Sequence, residues 1–171
     1  MELWDILDKN GKKTGRTVER GKPLGEGEYH LVVDCWLMDS DGRFLITRRS
    51  KEKTYAGYWE PTTGNAVSGE ESIDAVIREN AEETGIALKR ENLRFIGRYR
   101  HDKVKYFRDV YLAKQDFSDE DIVLQQGETD AAMRAFPEEV LKMMEKGSFL
   151  SKEIMFYMDE FLTAIDAQTD I

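Results

Sequence analysis

The chain carries one cysteine, Cys35, among its 171 residues, so no disulfide can close within it. It has no surplus of positive charge either: 25 lysines and arginines face 34 aspartates and glutamates, a formal net charge of −9. A surface of that sign repels a phosphate backbone at long range, which argues against nucleic acid as a partner. Small phosphorylated ligands remain open, because a bound cation reverses the sign locally. No apolar run approaches the roughly 20 residues that cross a bilayer. The opening residues Met1-Glu2-Leu3-Trp4-Asp5 have neither the basic nor the apolar stretch of a secretory leader. No membrane association is expected, and the location expected is cytoplasmic. Internal repeats and low-complexity tracts are absent as well.

What is present is a globular balance, 40% hydrophobic and 35% charged, in a chain long enough to bury a core. One domain over residues 1–171 is expected. It has an N-terminal hairpin and loop over 1–28 and a C-terminal helix over 148–171. Leu3–Asp8 and Thr14–Glu19 flank Asn10-Gly11, a strong hairpin turn. Tyr29–Asp39 and Phe44–Arg48 read as strands around Asp41-Gly42, Trp59–Thr63 as a short extended stretch, and Ser50–Tyr58 as a loop. Cys35, between Val33 and Trp36, reads as a small apolar strand residue rather than a reactive thiol.

The spacing predicts a helix over Ser68–Thr84. Ser68 and Glu71 are placed as a capping box, Ile73, Val76 and Ile77 supply the apolar stripe, and Gly85 stands at the C-cap. Leu93–Arg100 and Val104–Lys114 suggest another hairpin, and Ile122–Gln125 and Ala132–Phe136 weaker strands. Pro137 opens a short helix ending near Gly147, and Ile154, Met158, Phe161 and Ile165 mark a last one. The order is not a regular βαβ alternation, so the expected class is α+β, an α/β/α sandwich with a mixed sheet core flanked by helices.

The helix over 68–84 holds the chemistry. At about 100° per residue, Glu79, Glu82 and Glu83 fall within one arc beside the apolar stripe. Three converging carboxylates raise one another's pKa unless a cation lies among them. Mg²⁺ prefers such oxygen ligands, completed by water and phosphate. An arbitrary run of this composition is an ordinary solvated helix face. Here it is embedded in a longer pattern. Gly64, Glu70, Arg78, Glu79, Glu82, Glu83, Gly85 and Ile86 stand in register with the Nudix box, and the chain resembles the Nudix (MutT-like) hydrolases.

That resemblance implies the Nudix fold, strongly across the box and more weakly over about 29–149, and hydrolysis of a phosphoanhydride in a nucleoside diphosphate joined to a group X. It makes Glu79, Glu82 and Glu83 the metal ligands, joined by the backbone carbonyl of Gly64 or Thr63. The cofactor is Mg²⁺, with Mn²⁺ as a substitute. Glu70 becomes a catalytic support of the metal site, Arg78 its structural partner, and Glu82 a catalytic group as well as a ligand. Glu128, in the loop Gln126–Thr129, is the candidate base, with Glu120 and Asp130 as weaker substitutes. Arg49, or failing it Arg48, is expected to face the substrate phosphates. Trp36 and Tyr58 are candidates to stack on a base, although core packing is the commoner role.

Asn80 departs from the family's aliphatic residue and falls inside the apolar stripe. Its amide is expected to be paired with backbone groups of a neighbouring strand or loop. The partner expected is a small nucleotide-like phosphorylated substrate, with a homodimer possible. Two rivals stand beside the hydrolase. The N-terminal part, with Tyr29-His30 and the Trp36 strand, is similar to isopentenyl-diphosphate isomerases, but Thr62, Thr63 and Asn65 occupy the places of their cysteine and histidine. The other rival is a non-catalytic nucleotide-binding module, which an intact glutamate set disfavours.

Overall fold

The computed structural model of the protein describes residues 2–150 and 154–166. A hairpin of β1 (Leu3–Leu7) and β2 (Lys13–Glu19) precedes a mixed seven-stranded sheet. The sheet contains β3 (His30–Met38), β4 (Phe44–Arg49), β5 (Trp59–Glu60), β6 (Thr62–Asn65), β7 (Leu93–His101), β8 (Tyr106–Lys114) and β9 (Thr129–Ala135). Helix α1 (Ser72–Thr84) lies between β6 and β7, and α2 (Pro137–Glu145) and α3 (Met155–Asp166) follow β9.

β3 is the axis of the sheet. It runs parallel to β8 from His30↔Tyr106 to Met38↔Lys114. Its other edge is divided, with β6 against Val32–Cys35 and β4 against Leu37 and Met38. The period of two along β3 separates the two cores. Leu31, Val33, Cys35 and Leu37 pack with Ala75 and Val76 of α1. Trp36 and Met38 pack on the other face with Val140, Met144, Ile154, Met158 and Phe161. The expected three-layer arrangement is present, with helices on both faces of the sheet. Among the described residues, no helix is long and apolar enough to cross a membrane.

Four sequence expectations change. The helix starts at Ser72, not Ser68, and its N-cap Glu71 makes no side-chain cap bond. Gly69 is left-handed at φ 85°, which bars the helix from extending back. Ser68 gives its hydroxyl instead to Asp5 of the hairpin at 2.8 Å. Residues 122–125 form no strand. The backbone N–H groups of Val123 and Gln125 donate to the last carbonyls of α1, Thr84 O and Glu83 O, at 2.8 and 3.3 Å, so this segment caps the helix.

The C-terminal helix begins later than residue 148. Trp59 N donates to Ser148 O and Leu150 N to Trp59 O, laying 148–150 along β5. The remainder of the expected span, 151–153 and 167–171, lies outside the described residues. Tyr58, finally, is not a core residue, with 38% exposure and a ring edge-to-face with Tyr55, whereas Trp36 is fully buried.

Gly85 caps α1 in the left-handed conformation as expected, its N–H on Ala81 O. Asn80 is buried at the predicted place on the helix. Its Nδ2 donates to Ile86 O in the loop after α1 at 2.8 Å, while Oδ1 has no partner. The pairing expectation is therefore met by the amide nitrogen and not by the oxygen.

Candidate active site

α1 meets β6 around Arg78 and Glu79, and this contact fixes the acidic cluster. Gly64 in β6 touches Glu79 so closely that a Cβ there would lie 1.9 Å from Glu79 Cδ, which requires glycine. Asn65 N, the next donor along β6, bonds Glu79 Oε1 at 3.1 Å. Arg78 ties the rest together. Its Nε and Nη2 donate to the two oxygens of Glu70 at 2.9 and 3.0 Å, and Nη2 also reaches Asn65 O. Its Nη1 donates to Glu79 Oε1 and Glu82 Oε2 at 2.9 and 3.0 Å. Glu70 in turn accepts Val67 N–H, closing the loop between β6 and α1.

Glu83 is the exceptional member. It is 3% exposed, and its Oε2 has no hydrogen-bond partner. Burial, reinforced by Glu60, Glu79 and Glu128, drives its pKa well above the ordinary carboxylate range. Burial likewise raises Glu79, against the pull of Arg78, and raises Glu60, against the pull of Arg49. Glu128 is brought in by the backbone around Glu83. Gln125 N and Thr129 Oγ1 both donate to Glu83 O, the latter at 3.2 Å, so the 125–129 loop is fastened to the end of α1. Lys53 forms an ion pair with Glu128.

These groups line one polar depression that includes Gly64, Glu79, Glu82, Glu83 and Glu128. An adjoining cleft of about 600 Å³ shares Arg20, Lys53, Thr63, Gly64, Asn65 and Glu128 with it. The donor set is hard oxygen throughout, and an unpartnered buried carboxylate oxygen stands at its centre. That chemistry fits a divalent cation such as Mg²⁺. As the side chains stand, no three acidic, histidine or cysteine groups among the described residues converge closely enough to enclose an ion. Arg78 Nη1 occupies one oxygen of each of Glu79 and Glu82.

The remaining candidates divide. Arg49 lines the cleft, but its Nη1 is bound to both oxygens of Glu60 at 2.7 and 2.9 Å, and its Nε to Thr54 O at 2.7 Å. Arg48 turns to Asp130 at 2.7 Å, so this pair sits apart from the acidic cluster. Glu120, in a single turn at Asp119–Asp121, is exposed and does not line either depression. Cys35 is 1% exposed in the core under α1, where burial pushes its thiol pKa up.

Sequence reasoning missed Glu60, Lys53 and Arg20. Glu60 had a legible signal, a lone acid inside the extended Trp59–Thr63 stretch. Lys53 and Arg20 lie in charged loop and hairpin segments with no periodicity to single them out. Arg20 reaches the cleft because the hairpin docks on the box loop, with Ser68 N on Leu3 O at 2.7 Å and Lys13 Nζ on Glu70 O at 3.0 Å.

Comparison with known proteins shows what the chain and its fold are similar to. A model of the NUDIX domain matches residues 28–157. An uncharacterized Nudix hydrolase of Listeria monocytogenes is 31% identical over 171 residues, covering 99% of this chain and 98% of its own. An isopentenyl-diphosphate Delta-isomerase of Mycolicibacterium vanbaalenii is 36% identical, but over 51% of this chain and 49% of its own. Among solved structures, a Deinococcus radiodurans protein superposes with a TM-score of 0.70 at 22% identity, covering 86% of this chain and 91% of that one. An Ap4A hydrolase of C. elegans superposes with a TM-score of 0.59 at 20% identity, covering 80% and 98%.

Proposed function

This chain belongs to the NUDIX domain family, and from that premise we propose that it is a Mg²⁺-dependent pyrophosphohydrolase that cleaves a P–O–P bond in a nucleoside diphosphate joined to a group X. Mn²⁺ is a substitute cofactor. The observation that carries the reading is Glu83, buried without a partner on Oε2, with Glu60, Glu79 and Glu128 as charged neighbours, in the polar depression that adjoins a cleft of about 600 Å³. A folded chain has no structural use for such an oxygen, and a cation gives it one.

Glu79, Glu82 and Glu83 are the proposed ligands, with the backbone carbonyl of Gly64 or Thr63. When bound, the ions would neutralise the diphosphate oxygens and, as Lewis acids on those oxygens, make phosphorus more electrophilic. Arg78 yields its Nη1 contacts while Glu70 and Asn65 O keep the rest of the guanidinium in place. Lys53 and Arg20, which line both depressions, meet the phosphates. Arg20 leaves its exposed bond to Glu2 at 2.9 Å to do so, whereas Arg49, which also lines the cleft, is held by buried Glu60 and by Thr54 O before Tyr55. Glu128 leaves Lys53 and accepts the proton of the attacking water as its oxygen bonds phosphorus and the bridging oxygen departs.

Cys35, buried in the core under α1 and lining neither depression, weighs against the isomerase reading. The test is phosphate release from a panel of nucleoside diphosphate derivatives and baseless diphosphates with Mg²⁺ or Mn²⁺. Glu82→Gln is expected to lose about 100-fold or more in kcat with its melting temperature preserved. Turnover of every substrate at the wild-type rate by that variant would refute the mechanism.

A further inference from the structure

The loop between β4 and β5 contains a strained aromatic residue that the hydrolytic machinery does not use. Tyr55 has φ 56°, a left-handed conformation that disfavours any side chain with a Cβ and is unusual for an aromatic. It is 54% exposed, yet it lines the cleft beside the acidic depression. Its backbone is gripped on both sides. Arg49 Nε takes Thr54 O at 2.7 Å, and Tyr58 N takes Tyr55 O at 3.2 Å. Arg49 is itself immobilised by its two bonds to Glu60. Tyr58 braces the ring edge-to-face, with centroids 6.1 Å apart.

A fold that maintains an exposed, strained tyrosine against a cleft is using it there. We propose that Tyr55 is the specificity-determining residue of this enzyme, a platform on which the nucleobase of the substrate stacks, with Tyr58 and Arg49 as its positioning residues. The inference rests on the hydrolase reading only in taking this cleft as the substrate site.

The wall around the ring favours a heterocycle over a prenyl chain. His30, Thr54 and Glu52 offer polar atoms along the cleft, and Val32 and Leu150 are its few aliphatic residues. A planar base has a π-face for Tyr55 and edge groups for that polar wall, whereas a branched hydrocarbon would leave the polar groups facing carbon.

The test uses two non-hydrolysable probes with Mg²⁺ in calorimetry of the full chain: α,β-methylene-ADP and methylenediphosphonate, which lacks the nucleoside. The wild type is expected to bind the nucleoside probe about 10-fold or more tightly than the baseless one. Tyr55→Ala is expected to erase that preference while leaving methylenediphosphonate affinity unchanged. Tyr55→Phe and Tyr55→Trp, which keep the ring, are expected to retain it. An unchanged preference in Tyr55→Ala overturns the proposal, and so does an equal loss for both probes, which would mark a collapsed loop. The two readings fail separately. A wild type that shows these ratios but hydrolyses nothing sinks the hydrolase and leaves the platform. One that hydrolyses baseless diphosphates without preferring a nucleoside does the reverse.

Discussion

Two buried carboxylates lie on opposite sides of the sheet and differ in how they are satisfied. Asp34, wholly buried in the middle of β3, accepts two bonds from Arg108 Nη1 at 2.7 and 2.6 Å, one from Thr63 Oγ1 at 3.0 Å and one from Tyr157 OH at 2.7 Å. Trp36 Nε1 completes the network by donating to Tyr157 OH at 3.0 Å, joining α3 to the sheet. Glu83, almost as deeply buried at the end of α1, has carboxylates as neighbours and an oxygen with no partner. Burial alone therefore does not distinguish structure from function. The distinction lies in whether the protein supplies its own counter-charge. Asp34 is complete within the chain, whereas Glu83 Oε2 has no hydrogen-bond partner among the described residues and only Lys53 opposes the surrounding negative charge. Glu60 is intermediate, buried like both, bordering the active site and fully engaged by Arg49.

The most forceful way to break the contrast is to remove the self-sufficient member. Asp34→Ala leaves the Arg108 guanidinium buried without its carboxylate, and a broken buried pair of this kind costs about 3–5 kcal/mol. Urea denaturation is expected to show that loss, the bonds of Thr63 and Tyr157 to Asp34 going with it. A loss below about 1 kcal/mol would mean that Arg108 finds another counter-charge, and Asp34 would then be no more structural than Glu83.

How much of this was legible beforehand follows the same division. Gly64 comes from the resemblance to the Nudix box, whereas the box glutamates and the Gly85 cap are local, set by helical spacing and a left-handed residue, and are visible in the sequence. So are the two-faced β3 and the helices over it, because a period of two is a local pattern. The start of α1 was misread because Ser68 and Glu71 have the spacing of a cap, while the hydroxyl is claimed by Asp5 from 63 residues away. Arg49 was expected at the phosphates. Its partner Glu60 lies on the adjacent strand β5, and only the Thr47↔Glu60 and Arg48↔Trp59 pairing brings the two together. The Asp34–Arg108–Tyr157 network was invisible for a like reason. It joins β3, β8 and α3, and no spacing along the chain encodes a contact across three elements.

A middle-sized effect sharpens the comparison from the side of Asp34. His30 opens the strand that carries Asp34, stacked on Trp4 with ring centroids 4.2 Å apart. Burial, aided by the nearby Arg108 charge, lowers its pKa from 6.5 to about 4. Between those values the unfolded chain takes up a proton that the folded chain refuses, so stability is expected to fall as pH drops through that window. The loss attributable to His30 is about 1.5 kcal/mol between pH 6.5 and pH 5. Urea denaturation of the wild type and of His30→Gln at both pH values isolates it, because the variant lacks this slope. Equal slopes would show that the Asp34 network tolerates a charged imidazole, and its completeness would then be less strict than the geometry indicates.

The smallest expected effect is the most diagnostic, because it runs against the usual direction of core mutation. Glu83→Gln removes a charge that the folded protein crowds with Glu60, Glu79 and Glu128 and keeps nearly the same shape. Without added metal at neutral pH the variant is expected to be more stable than the wild type. The sign follows from the raised pKa. Below the ordinary carboxylate value of 4.5 Glu83 is protonated in both folded and unfolded chains, and the two proteins should match. As pH rises above 4.5 the unfolded chain releases the proton while the folded one retains it, so the wild type loses ground until the raised pKa is passed. Mg²⁺ should then reverse the order, stabilising the wild type more than the variant by mass action on the site. Thermal melts at pH 4 and pH 7.5, with and without Mg²⁺, read all three comparisons. A Glu83→Gln protein less stable than the wild type at pH 7.5 without metal would mean that Glu83, like Asp34, is satisfied from within.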